Sequence, residues 1–140
     1  MSTLQNFFSL ISLLIFFSFS SHLSAQTSNK DIAIIKSWTG LIEAGTECEV
    51  YYSFVQCGNE KIVLLKFYNE VPFQQNIKVK VTVKYSGYRV TEAKTVSINP
   101  NQTIVGACNS TDENLFIKLP TPIWDFDKTT IEVISLETKN

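Results

Sequence analysis

Between Pro120 and Asp127 the chain reads Pro-Thr-Pro-Ile-Trp-Asp-Phe-Asp, so Trp124 and Phe126 alternate with Asp125 and Asp127 behind two stiffening prolines. A flat indole can stack on a pyranose face while carboxylates accept hydroxyl protons, which makes this segment a candidate sugar-binding loop. The same residues have a plainer use, in which Trp124 and Phe126 plug the end of a core and the acids face water. Asp125 and Asp127, joined by Asp112, Glu113 and Asn114 from a second acidic segment, would supply oxygen ligands to Ca²⁺ if the two loops met. The D-x-D spacing lacks the glycine and distal glutamate of an EF-hand loop, so solvated turn acids are expected and no metal is assigned. Two carboxyls about 5 to 10 Å apart across a cleft would also suit glycoside hydrolysis. A domain this small rarely encloses such a cleft, so no catalytic residue is assigned.

The nucleophile and metal-ligand inventory is short. His22 is the only histidine and falls in an N-terminal segment with the character of an export leader, so the chain beyond it cannot build a Ser-His-Asp or Cys-His site. Imidazole is also the commonest ligand at transition-metal sites, and three cysteines are poor substitutes for it. No G-x-G-x-x-G or G-x-x-x-x-G-K-[ST] string occurs, which removes the usual phosphate-cradling loops. No cofactor is expected. A net charge of −1 gives no field to gather nucleic-acid phosphates.

From Met1 to Ala25 there is no Asp, Glu, Lys or Arg, and Phe7 to Phe19 is a run of Phe, Leu, Ile and Ser. That run is too short for a bilayer helix of about 20 apolar residues and suits a signal-peptide h-region. Ser24-Ala25 supplies small residues for cleavage before Gln26, although the segment lacks the basic start typical of export signals. The expected organisation is a signal peptide over 1–25 and a single domain over 26–140. Retention of the leader as a membrane anchor is the alternative.

In an exported domain three cysteines imply one disulfide and one remaining thiol. Cys48 and Cys57 are nine residues apart, so on one regular strand they point to opposite faces and one of them joins Cys108. Cys57–Cys108 is favoured because both lie at strand ends beside glycine-containing segments, with Cys48 left as a thiol on the apolar face of Val50 and Tyr52. Cys48–Cys108 is the alternative. A redox role is not expected without a C-x-x-C pair or a neighbouring histidine.

The elements that must hold these groups read as strands. Ile77, Val79, Val81, Val83 and Tyr85 alternate with Lys78, Lys80, Thr82, Lys84 and Ser86, a period of two with one β-branched or aromatic face and one solvated face. Ser86-Gly87 then supplies a turn into Arg89–Ile98, giving a hairpin. Cys48, Val50, Tyr52 and Phe54 share one face of an earlier strand, and Ile62–Phe67 is apolar on both faces, as a central strand would be. Ile32–Trp38, Thr103–Cys108, Leu115–Leu119 and Thr129–Leu136 complete about eight short strands, the pattern of an all-β antiparallel sandwich. Lys78, Lys80 and Lys84, with Lys94 beside them, make a basic stripe that would touch an anionic polymer or simply keep a strand face wet. Asn101 and Asn109 begin N-x-[ST] sequons, which matter where glycosylation machinery exists.

The segment Ile62–Asn69, a loop, Ile77–Val81, and later Val96-Ser97-Ile98-Asn99-Pro100-Asn101-Gln102-Thr103-Ile104 together resemble immunoglobulin-like accessory domains of exported bacterial proteins, with a leader ending similar to those of Bacteroidetes. The resemblance covers about sixty residues. It implies an immunoglobulin-like sandwich of about 7–8 strands in a binding or structural role, with no catalytic residues to carry over. The Cys…Trp…Cys order of antibody domains is absent, since Trp38 precedes the cysteines and Trp124 follows them. The sequence therefore points to a non-catalytic exported module, secreted, periplasmic or on the cell surface, whose partner is a protein or a cell-surface polysaccharide. A carbohydrate-binding module using the Trp124 loop is the second reading, and an acid-based hydrolase the third.

Overall fold

The computed structural model describes residues 32–42, 47–120 and 124–139. The leader over 1–25 and its cleavage point lie outside these residues, as do Thr121, Pro122 and Ile123. The described residues form nine strands: β1 (Ile32–Ile34), β2 (Thr39–Ile42), β3 (Cys48–Cys57), β4 (Glu60–Asn69), β5 (Gln75–Tyr85), β6 (Tyr88–Ile98), β7 (Thr103–Val105), β8 (Phe116–Leu119) and β9 (Thr130–Lys139). Every pairing is antiparallel. One sheet is built on the long β3–β4 pair, with β1 and β2 sharing the free edge of β3 and β7 and β8 sharing that of β4. The other sheet has the order β6-β5-β9. The expected two-sheet antiparallel sandwich is therefore the fold, with nine strands where about eight were anticipated.

The period-two pattern explains the core. Val50, Tyr52 and Phe54 of β3 and Val63, Leu65 and Phe67 of β4 face Ile77, Val79, Val81 and Val83 of β5 across the sandwich, all buried in one cluster. Each such side chain contributes roughly 1.5–3 kcal/mol by leaving water. The even-numbered partners on β4 are apolar for a different reason. Ile62 and Leu64 point to the outside of their sheet, where with Val55 they form a second cluster covered by Trp38, Phe116, Cys57 and Cys108.

Two elements depart from the pattern expected. The segment 32–38 is not one strand: β1 ends at Ile34, and a separate β2 begins at Thr39, with a register shift between Gly40 and Ile42. In β9 the apolar residues Ile131 and Val133 are odd-numbered and Leu136 is even-numbered, so a regular strand cannot bury all three. A bulge between the partners of Lys80 and Val81 absorbs the extra residue, Ile134, and leaves it exposed.

Loop 106–115 is held by close backbone approach. Gly106 donates its N–H to Leu65 O at 2.9 Å, and a Cβ at this position would stand 2.2 Å from Leu115 O. At the opposite end of β4, Asn69 is fully buried and its amide ties three segments together. Its Nδ2 donates to the carbonyls of Phe73, Ile98 and Asn99, and its Oδ1 accepts from Val71 N.

Candidate functional site

Trp124 is only 1% exposed and lies in the main core, its ring 6.0 Å from that of Tyr85. Phe126 is also buried and stacks on Phe54 at 4.7 Å between centroids. The Lys61 ammonium donates to Trp124 O and sits 5.4 Å from the Phe126 centroid, closing this end of the sandwich. The two aromatics are a plug. Of the two uses open to this segment the structure shows the plug: at 1% exposure Trp124 presents no stacking platform to a sugar.

The acids beside the plug shape the local turn. Asp125 caps the 3₁₀ turn Phe126–Lys128, its Oδ1 accepting from Asp127 N at 3.1 Å and its Oδ2 3.2 Å from Lys128 Nζ. Lys128 first, and the Asp127 N–H second, hold the Asp125 carboxyl below the usual carboxylate range. A general acid for glycoside hydrolysis needs the opposite shift. Asp112 performs the same service for the turn Glu113–Leu115, accepting from Asn114 N and Asn114 Nδ2 at 2.9 Å each. That turn covers the open edge of β6, where Thr95 N donates to Asn114 Oδ1 and Lys94 Nζ to Glu113 O. The two acidic segments are thus occupied in separate turns, and no group of three His, Cys, Asp or Glu able to hold a metal ion forms among the described residues.

Cys57 and Cys108 form the disulfide, with their Cα atoms 5.6 Å apart, strapping loop 106–112 over the outer cluster. Cys48 is fully buried against Val50 in the main core. Burial, then Glu47 and Glu70, push its thiol up to about 11, far from the thiolate that redox chemistry needs.

Groups with solvent-facing chemistry gather elsewhere, at the β5–β6 turn. Ser86 and Gly87 both take positive φ, 44° and 86°, giving the two-residue turn that sets Tyr85 opposite Tyr88 and Lys84 opposite Arg89. A recess of about 220 Å³ opens here, lined by Lys84, Tyr85, Tyr88, Arg89, Lys128 and Thr130 among others, with no carboxylate among the described residues that line it. Trp124 supports this recess from beneath through Tyr85. Lys84 pairs with Glu132 and Lys128 with Asp125, whereas Arg89 is exposed and makes no ion pair among the described residues.

The basic stripe runs toward the same recess. Lys78, Lys80 and Lys84 occupy the outer face of β5, and the register adds Arg89 to it. Lys94 does not belong to it, correcting the expectation that it lies beside the stripe. Its partner is Val79, so it shares the inward-facing phase of β6, is buried, and pairs with Glu92. The two-residue turn at Ser86-Gly87 was the available signal: counting back from it puts Arg89, and not Lys94, opposite a stripe lysine. Asn101 and Asn109 are both exposed, with Asn101 at a positive φ of 54°.

Comparison with protein-family models, curated proteins and solved structures returns no match.

Proposed function

We propose that the protein is a non-catalytic, exported interaction module of the kind its resemblance to immunoglobulin-like accessory domains implies. The observation that carries this reading is the commitment of Asp112, Asp125 and the three cysteines to structure. Asp112 and Asp125 cap turns, Cys57 and Cys108 make a strap, and Cys48 is sealed in the core. The recess at the β5–β6 turn instead presents cations and tyrosines, groups that hold a ligand and lack a base to activate water. Export is supported by the leader-like segment 1–25 and by the disulfide, which persists in oxidising compartments.

Two measurements test the reading. The intact mass of the exported protein starts at Gln26 and gains two hydrogens on reduction; a retained leader overturns release from the membrane. Incubation with a panel of polysaccharides, peptides and esters gives retention without product. Product release that disappears in Asp125→Asn or Asp127→Asn overturns the non-catalytic assignment. A carbohydrate partner is the second reading, now supported by the recess and no longer by Trp124.

A further inference from the structure

We propose that the outer face of the β6-β5-β9 sheet, from Lys78 to the recess at the β5–β6 turn, binds an acidic polysaccharide bearing uronate carboxylates. The inference rests on the interaction-module reading and gives it a ligand class. Lys78, Lys80 and Lys84 stand on one face of β5, each step of two residues advancing about 6.6–6.8 Å along the strand. Arg89 lies across from Lys84, and Lys128 closes the far wall of the recess. Three lysines in line on β5, with Arg89 beside the last of them and Lys128 lining the recess beyond, match a linear polyanion better than a small ion.

Nearby carboxylates offset two of these cations and leave three without an ion pair among the described residues. Glu132 takes Lys84 and Asp125 takes Lys128, while Glu137 is opposite Lys78 in register without forming an ion pair. Lys78, Lys80 and Arg89 make no ion pair among the described residues. The stripe also has no edge-protecting duty, because β5 is the central strand, paired on both sides by β6 and β9.

Three further observations choose a sugar acid over other polyanions. The face intersperses its cations with the exposed hydroxyl residues Thr91, Thr95, Thr130 and Ser135, which suit a polyhydroxylated chain. Tyr88, 53% exposed, lines the recess together with Arg89 and adds a flat ring to it. The backbone of β5 is fully paired on both sides, so an acidic peptide cannot add to it as a strand.

The experiment is affinity electrophoresis of the exported protein through gels holding polygalacturonate, neutral dextran, polyglutamate or single-stranded DNA. Retardation is expected in polygalacturonate, weakening as salt rises from about 0.05 to about 0.3 M. Arg89→Ala is expected to weaken it about tenfold, and the Lys78→Ala/Lys80→Ala pair to weaken it further, with melting temperatures unchanged. Mobility in polygalacturonate equal to that in dextran overturns the proposal, as does an Arg89→Ala variant that binds like the parent. Equal or stronger retardation by polyglutamate or DNA overturns the sugar class. Shortening of the polygalacturonate chains would instead defeat the non-catalytic reading, so the two failures are distinguishable.

Discussion

Replacing Asn69 removes a single side chain that fastens three segments. Its two amide hydrogens serve the carbonyls of Phe73 at 2.8 Å, Asn99 at 3.1 Å and Ile98 at 3.2 Å, and its oxygen accepts from Val71 N at 3.1 Å. Asn69 is fully buried, so water does not replace the amide once it is gone. A buried polar group left without a partner costs about 1–3 kcal/mol. Two hydrogens cannot fully satisfy three acceptors, so we take two donor bonds and one acceptor bond as lost and expect Asn69→Ala to cost about 3–5 kcal/mol. Against a typical stability of about 5–15 kcal/mol, this lowers the melting temperature by about 12–20 °C at this chain length. Asn69→Asp sharpens the test because it keeps the shape and the Val71 acceptor while turning a carboxylate toward three carbonyls. Burial raises that carboxyl's pKa above the unfolded value, so its penalty grows as pH rises from acid to neutral. Urea unfolding followed by circular dichroism measures both variants. A loss below about 1 kcal/mol in Asn69→Ala, or an Asn69→Asp variant equally stable at pH 4 and pH 7, refutes the reasoning.

Three other perturbations probe separate parts of the molecule. Gly106→Ala drives a Cβ against Leu115 O, backbone on backbone, and is expected to cost about 2–4 kcal/mol in a thermal melt; wild-type stability would contradict the close approach. Reducing the Cys57–Cys108 bridge, or replacing both residues with serine, opens a link between residues 51 apart and lowers stability by up to about 4 kcal/mol in the chain-entropy model, read as a drop in the urea midpoint. Cys48 is expected to resist a thiol reagent at pH 8 in the folded protein and to react once urea unfolds it. Because its thiol is pushed from 9.0 to about 11, the folded chain retains a proton that the unfolded chain loses, so stability contributed by this group falls as pH rises from about 9 through 11. Alkaline melts of the parent and Cys48→Ala check the sign, and a parent no more alkali-sensitive than the variant contradicts it.

The strands were most legible where one face meets the core and the other meets water, as in β5. The doubly apolar run of β4 was also readable, though its cause was not: Ile62 and Leu64 are covered by the disulfide strap and Trp38, an arrangement that depends on residues far away in sequence. β2 escaped notice because Thr39-Gly40-Leu41-Ile42 is four residues long, contains a glycine and breaks register against β3. Asn69 carries no sign of its role in the sequence, since the carbonyls it binds belong to Phe73, Ile98 and Asn99 and meet only in the fold. The site was harder to read. Trp124 and its alternating acids carry the same composition whether they display an indole or bury it, and the difference lies in the packing of Tyr85, Phe54 and Lys61 around them. Arg89 carried no local signal, and its position became meaningful only through the register that the Ser86-Gly87 turn imposes.

The most direct test of the ligand assignment is a heteronuclear NMR titration of the ¹⁵N-labelled chain from Gln26 with a short oligogalacturonate. Saturable shifts are expected at Lys78, Lys80, Lys84 to Arg89 and Lys128 to Thr130, with the opposite sheet, including Tyr51 and Tyr68, unmoved. Shifts centred on that opposite sheet, or none anywhere at millimolar ligand, would contradict the account.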